Sequence, residues 1–268
     1  MVTLGTDEPL AVSVVAAIHA GDLAALRRLL GEHPDLAAAR LGSDSGDGGM
    51  SRTLLHVVTD WPGHFPNGAA TVAALIAAGA EVDGRFVGPH AETPLHWAAS
   101  SNDVAVLDAL LDAGTDIDAP GSVIDGGTPL ADAVAFGMWQ AARRLVERGA
   151  RTTLWQAAAL GLLSRVAEYF SRATPPASEE ITHGLWNACH GGQRQVAEYL
   201  LDRGADLNWI GYDGLTPLDA APRRRPAPRR PAPRRRGRGR MAVRSRGCRG
   251  WRVELREIPH GADRSTRT

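Results

Sequence analysis

The chain contains no lysine. Its 30 basic residues are all arginine, and 30 acidic residues bring the formal net charge to zero. Lysine codons are AT-rich, so this gap, with abundant Ala, Arg and Gly, points to a GC-rich genome and says nothing about function. Two cysteines, Cys189 and Cys248, cannot build a disulfide framework, and no Cys/His spacing of the zinc-finger kind is present, which predicts a reducing compartment and no bound metal. Long apolar runs are also missing. Stretches such as Ala69–Ala80 fall well short of the roughly 20 residues that span a bilayer, and Asp7 and Glu8 stand where a secretion signal carries basic residues. The expectation is a cytoplasmic monomer with no membrane span.

The net charge of zero is the sum of two opposed segments. Residues 1–221 hold 13 Arg and 27 Asp or Glu, a net of −14, whereas residues 222–268 hold 17 Arg and 3 acids, a net of +14. The first segment should repel nucleic acid and prefer basic surfaces.

Self-similarity is the strongest signal that is present. Thr93-Pro94-Leu95-His96-Trp97-Ala98-Ala99 is followed by an apolar helix, Val104–Leu111, and by Ala113-Gly114-Thr115-Asp116-Ile117-Asp118. The start recurs as Thr128-Pro129-Leu130-Ala131 and Thr216-Pro217-Leu218-Asp219, and the exit as Gly79-Ala80-Glu81-Val82-Asp83 and Gly204-Ala205-Asp206-Leu207-Asn208. Diverged copies begin at Thr53, Thr152 and Leu185, and Leu10–Leu30 makes an N-terminal helix pair. The pattern resembles the ankyrin repeat family, in the bacterial-type form, over about residues 8–221, with some six units and an incomplete last one. The resemblance implies an all-α solenoid of stacked helix pairs joined by short hairpin fingers. A generic Ala/Leu-rich α-solenoid is the alternative, but the starts and exits recur together in register.

Elementary chemistry explains the pattern. Thr caps the first helix with its hydroxyl, and Pro tolerates a first turn that needs no backbone donor. Ala98-Ala99 and Ala157-Ala158 let helices approach, and Gly79, Gly114, Gly149 and Gly204 close second helices in a conformation that favours Gly. One unit cannot bury its own apolar faces, so stacking is obligatory. Three irregularities are expected: an insertion, Asp60–Gly68, in the unit at Thr53; a missing finger before Thr152; and an unfinished last unit that exposes Leu215 and Leu218.

No constellation of titratable groups suggests catalysis, and no cofactor motif is present. His56 and His96 are expected to tie neighbouring turns together. Cys189 and His190 are adjacent on a helix and point about 100° apart, so Cys189 reads as a packed thiol. Asp83, Asp116, Asp118, Asp206 and Asn208 fall where short polar side chains bond turns. Gly121–Gly127 and Gly42–Gly49 lack the Lys of a phosphate loop, and read as a long finger and a disordered connection.

What remains is recognition of a protein partner, which the resemblance places on the fingers and the ends of the first helices. The finger positions are Arg85, Phe86, His90, Glu92, Val123, Ile124, Asp125, Trp209, Ile210 and Tyr212; the helix-end positions are Ser100, Ser101, Phe136, Leu160 and His190. Trp209 and Tyr212 are the expected hot spot, because such rings bury much area at low entropic cost. Trp155 and Trp186 stand at the place of the motif His, which predicts either lost turn bridges or one aromatic patch. The insertion, with Trp61, His64 and Phe65, is a second candidate.

After Ala221 the pattern stops in mid-unit at Pro222-Arg223-Arg224-Arg225-Pro226. Residues 222–268 are expected to be an Arg/Pro-rich disordered tail. The tail is either a basic arm for nucleic acid or an anionic membrane, or the product of a frameshift, since GC-rich DNA encodes Arg, Pro, Ala and Gly in many frames. The resulting expectation is a non-catalytic interaction scaffold, with a nucleic-acid-associated protein as the alternative.

Overall fold

Six helix pairs and the start of a seventh make up the computed structural model, which describes residues 2–42 and 49–222. The expected tail, Pro222 apart, lies outside the described residues, as do positions 43–48 of the glycine-rich connection. The pairs are α1 (Pro9–Ala20) with α2 (Leu23–Glu32), α3 (Leu54–Val58) with α4 (Gly68–Ala77), and α5 (Pro94–Ser100) with α6 (Val104–Asp112). They continue as α7 (Pro129–Ala135) with α8 (Trp139–Glu147), α9 (Leu154–Ala159) with α10 (Leu163–Phe170), and α11 (Ser178–His190) with α12 (Arg194–Leu201), ending in α13 (Pro217–Ala220). First helices pack on first helices from α1 through α13, and second helices on second helices from α2 through α8 and again from α10 to α12, which gives the all-α solenoid expected from the repeat. Buried Leu54, Leu95, Leu107, Leu130 and Leu145 join one continuous apolar cluster, and Leu154, Leu185, Val196 and Leu200 a second.

The threonines stand where the motif requires, although the Thr128 hydroxyl makes no capping bond. Thr53, Thr93, Thr128, Thr153 and Thr216 each occupy an N-cap, with Pro in the first turn of α5, α7 and α13. His56 Nδ1 accepts from the Thr53 backbone N–H at 3.3 Å, and its Nε2 lies 3.1 Å from the Glu92 carbonyl, one residue before the next capping threonine. His96 repeats this with Thr93 and the Gly127 carbonyl, at 3.1 and 3.4 Å. A neutral imidazole with its proton on Nε2 satisfies both contacts. Burial keeps it neutral, pushing His56 down to about 3 and His96 to about 4.

Two expectations about this position need correction. The fifth unit starts at Thr153, not Thr152, so Gln156 rather than Trp155 takes the place of the His. Its side-chain oxygen accepts from the Thr153 N–H at 2.8 Å. Trp186 does occupy the His position, yet the bridge is kept: its indole N–H donates to the Leu215 carbonyl at 3.1 Å, one residue before Thr216. An indole has one donor and no acceptor, so it replaces only the outward half of what His does.

A small sheet was not expected. β1 (Thr3–Gly5) pairs parallel with β2 (Arg40–Gly42), which pairs antiparallel with β3 (Ser51–Thr53). It leads the chain into the cap of α3, and the buried Arg40 guanidinium holds it by donating to the carbonyls of Ser51 and Arg85. The fingerless region is longer than predicted. The connections into α9 and into α11 both lack a finger, and α11 runs five residues, Ser178–Thr182, ahead of its motif position. Leu218 is 73% exposed, as expected, whereas Leu215 is half-buried.

The insertion is pinned. His64 N–H donates to Asp103 at 2.9 Å, Asn67 donates to the Gly21 carbonyl at 2.9 Å, and Phe65 stacks on His19 at 4.2 Å. It straps the helix turns of the first and third pairs together, leaving Trp61 81% exposed.

Candidate functional site

The first two fingers are bound to each other by a buried acid. Phe86 stacks on His90, ring centroids 4.6 Å apart, and lies 5.7 Å from Trp97. The Trp97 indole N–H donates to Glu92 Oε2 at 2.8 Å, His90 Nδ1 lies 2.9 Å from the same oxygen, and the Val123 N–H donates to Oε1 at 3.3 Å. Behind Glu92 stands Asp132, fully buried in α7, accepting from the Ser122 hydroxyl. Burial raises Asp132 to about 8; the Ser122 bond opposes the rise and the charge of Glu92 adds to it. Asp132 is therefore a neutral acid at pH 7, and the network rigidifies the fingers.

The last finger carries the aromatic cluster. Trp209 lies 4.7 Å from His183, Tyr212 stands edge-on to Trp186 at 5.1 Å and to Trp209 at 6.2 Å, and Trp186 stacks on His190 at 5.3 Å. His190 also meets Trp139, at 5.2 Å, which links α8 to α11 past the short α9. Gly211 makes the cluster possible. A Cβ there would stand 2.2 Å from the Trp209 ring and 2.9 Å from that of Trp186, so only glycine lets the indole fold onto the backbone. Tyr212 remains 50% exposed and Ile210 67%. Burial raises the Tyr212 phenol, and the charge of Asp125 on the preceding finger raises it further.

The other expected contact residues divide. Arg85, Val123 and Asp125 are exposed, Ile124 is half-buried, and Phe136 is 47% exposed at the end of α7. Glu92 and Leu160 are corrections. Glu92 is spent on the internal network, and Leu160 is buried in the core because α9 ends one residue earlier, at Ala159. Ser101 is likewise buried. His90 and Phe86 support the finger from within. Trp155 is half-buried against the first core cluster, so the rings that join Trp186 are His190 and Tyr212, not Trp155. Trp139, His183 and Asp132 were missed. Trp139 and His183 lie on helices 70 and 26 positions before Trp209, and no local signal assigns them to its finger.

Burial raises the Cys189 thiol, which disfavours the thiolate that a nucleophile needs. Among the described residues no group of three or more His, Cys, Asp or Glu is placed to hold a metal, and no helix is long and apolar enough to cross a membrane.

The recurrent caps, turn bridges and finger geometry agree with comparison to known proteins. A family profile described as ankyrin repeats, in three copies, matches residues 65–155. Residues 65–155 carry ankyrin repeats. An ankyrin repeat and KH domain-containing protein of Caenorhabditis briggsae is 31% identical over 156 residues, which is 55% of this chain and 6% of that protein. The chain thus matches only a small part of that relative. The human ASB11 ankyrin repeat domain superposes with a TM-score of 0.47 at 22% identity, covering 81% of this chain and 93% of that one. Ankyrin repeats are in general protein–protein interaction modules, and typically scaffolds without catalytic activity.

Proposed function

We propose that this ankyrin-repeat chain is a non-catalytic scaffold that binds a protein partner along the face lined by its fingers and first helices, with Trp209 and Tyr212 at the centre of the contact. The observation that carries this reading is the half-exposed cluster of Trp209 and Tyr212, supported from below by His183 and Trp186. Rings fixed before binding cost little entropy to immobilise, which is what a hot spot requires. The reading adds the earlier finger positions Arg85, Val123, Ile124 and Asp125, Ile210 next to Trp209, and Phe136 at the end of α7.

Affinity capture from host extract tests the proposal, using the full-length chain, a Trp209→Ala, Tyr212→Ala variant, and a Glu198→Ala variant on α12. The double variant should keep its melting temperature within a few degrees and lose partner binding by about 30-fold or more, in line with truncation of a hot spot worth ~2 kcal/mol. Glu198→Ala should bind as the parent does. Equal capture by all three contradicts the proposal.

A second reading rests on the charge of +14 carried by residues 222–268. On it, that segment supplies electrostatic affinity for nucleic acid and the repeats recruit another protein. Full-length protein should then bind duplex DNA or RNA with an affinity that falls steeply with salt, and replacing the arginines of 223–240 by serine should abolish the binding. Salt-insensitive binding, or none, removes this reading.

A further inference from the structure

We propose that the ledge formed by Trp209 and Tyr212 receives the guanidinium of an arginine on the partner polypeptide. The inference rests on the groove reading above and specifies what the groove takes.

Three observations converge on this class of ligand. The first is the ring geometry. Trp209 and Tyr212 stand at 85° to one another with centroids 6.2 Å apart, so their π faces are roughly perpendicular and a flat cation stacks on one face and not on both. Gly211 locks the Trp209 indole in that position, because no other residue leaves room for it. The second is charge. Residues 1–221 carry −14, and Asp125 on the loop after Gly121 is exposed and close enough to act on the Tyr212 hydroxyl. The connections into α9 and α11 both lack a finger, so no other finger stands between those that bear Asp125 and Tyr212. The third is chemical precedent within the molecule. Arg203 lies over Tyr199 at 3.3 Å and Arg172 over Tyr169 at 3.6 Å, so this scaffold already holds guanidinium groups on its rings.

Arginine is favoured over lysine for a physical reason. A guanidinium is planar and weakly hydrated, so it stacks on an aromatic face and still presents N–H groups sideways to a carboxylate. An ammonium is a compact, strongly hydrated point charge and gains less from a ledge that is open on one side. An acidic ligand would meet Asp125 and the negative body, and an uncharged apolar one would leave Asp125 desolvated without a partner.

The test is titration of the full-length protein with acetyl-Gly-Arg-Gly-Arg-Gly-amide and with its lysine and citrulline counterparts. It reads the indole N–H signal of Trp209, assigned by its loss in Trp209→Phe. A second preparation with the arginines of 223–240 replaced by serine removes the chain's own guanidinium groups as competitors. The arginine peptide should shift the Trp209 signal saturably, about threefold or more tighter than the lysine peptide, and the citrulline peptide should leave it unmoved. Tyr212→Ala should weaken the arginine peptide by about fivefold and Asp125→Asn by about threefold, the sizes expected of one exposed cation–π contact and one partly exposed ion pair. Equal response to the arginine and lysine peptides, or no saturable shift in either preparation, overturns the proposal. If the peptides fail while the Trp209→Ala, Tyr212→Ala variant still loses the captured partner, only the arginine assignment falls; if the variant also keeps the partner, the groove reading falls with it.

Discussion

Replacing Asp132 with asparagine is expected to flatten the alkaline side of the protein's pH–stability profile. In the fold Asp132 keeps its proton up to about pH 8, whereas an unfolded chain loses it near pH ~4. Between those values the native state binds more protons than the unfolded one. Stability from this group is therefore complete below pH ~4 and declines as pH rises towards 8, by up to about 1.4 kcal/mol per pH unit. His56 and His96 act in the opposite sense. They stay neutral in the fold down to about 3 and about 4, while unfolded histidines protonate near pH ~6.5, so their contribution declines as pH falls below that value. The two effects place maximal stability near pH ~6.5. Asparagine keeps the buried polar shape and has no proton to lose. The Asp132→Asn variant should match the parent at about pH 5 and exceed it by several kcal/mol, up to about 4, at about pH 9. Urea unfolding at both pH values reads this directly; parallel profiles would show that Asp132 titrates normally.

The adjacent glycines Gly191 and Gly192 look alike in the sequence and should respond very differently to alanine. At Gly191 the backbone is ordinary, φ −79°, but a Cβ would stand 1.9 Å from the Ala159 carbonyl oxygen and 2.8 Å from its carbon. The obstacle is backbone at the junction of α9 and α11, so neither side can yield by a rotamer change. Gly191→Ala should cost about 3 kcal/mol or more, at the upper end of what overpacking costs. At Gly192 the space is open, with Pro222 the nearest neighbour at 3.5 Å, and only the left-handed φ of 69° opposes a side chain. Gly192→Ala should cost about 1 kcal/mol. Denaturant midpoints of the two variants measure the difference; equal values would mean that α9 and α11 are not in close contact through this turn.

Much of the solenoid was legible because the residues that specify it act locally. Thr93-Pro94-Leu95-His96 states its cap, its first turn and its bridge within four positions, and the structure builds all three. Where Pro and His were replaced, the register became ambiguous. At Thr152-Thr153-Leu154-Trp155-Gln156 either threonine could cap, and the choice of Thr153 depends on Gln156 bonding back to it. The sheet of Thr3–Gly5, Arg40–Gly42 and Ser51–Thr53 was illegible for another reason. Three-residue strands carry no usable alternation, and their pairing is set by contacts across the N-terminal helix pair. The extension of α11 through Ser178–Thr182 replaces a finger with helix and leaves no motif to read.

The candidate site was legible in its exposed part only. Trp209 and Tyr212 could be placed on a finger from the repeat register. Their supports, His183 and Trp186 on α11, depend on which rings turn towards each other. Glu92 was misread because finger register cannot distinguish a side chain that faces a partner from one drawn inward by Trp97, His90 and the Val123 N–H. Leu160 was misread because α9 is one residue shorter than the repeat predicts, which turns its last position into the core.

Hydroxyl-radical footprinting of the captured complex against the free protein tests the central claim most directly, because it reports which rings the partner covers. Protection is expected at Trp209, Tyr212 and Val123, with Trp61 on its pinned loop as reactive in the complex as in the free chain. Protection of Trp61 with Trp209 and Tyr212 unchanged would place the partner elsewhere and contradict the account.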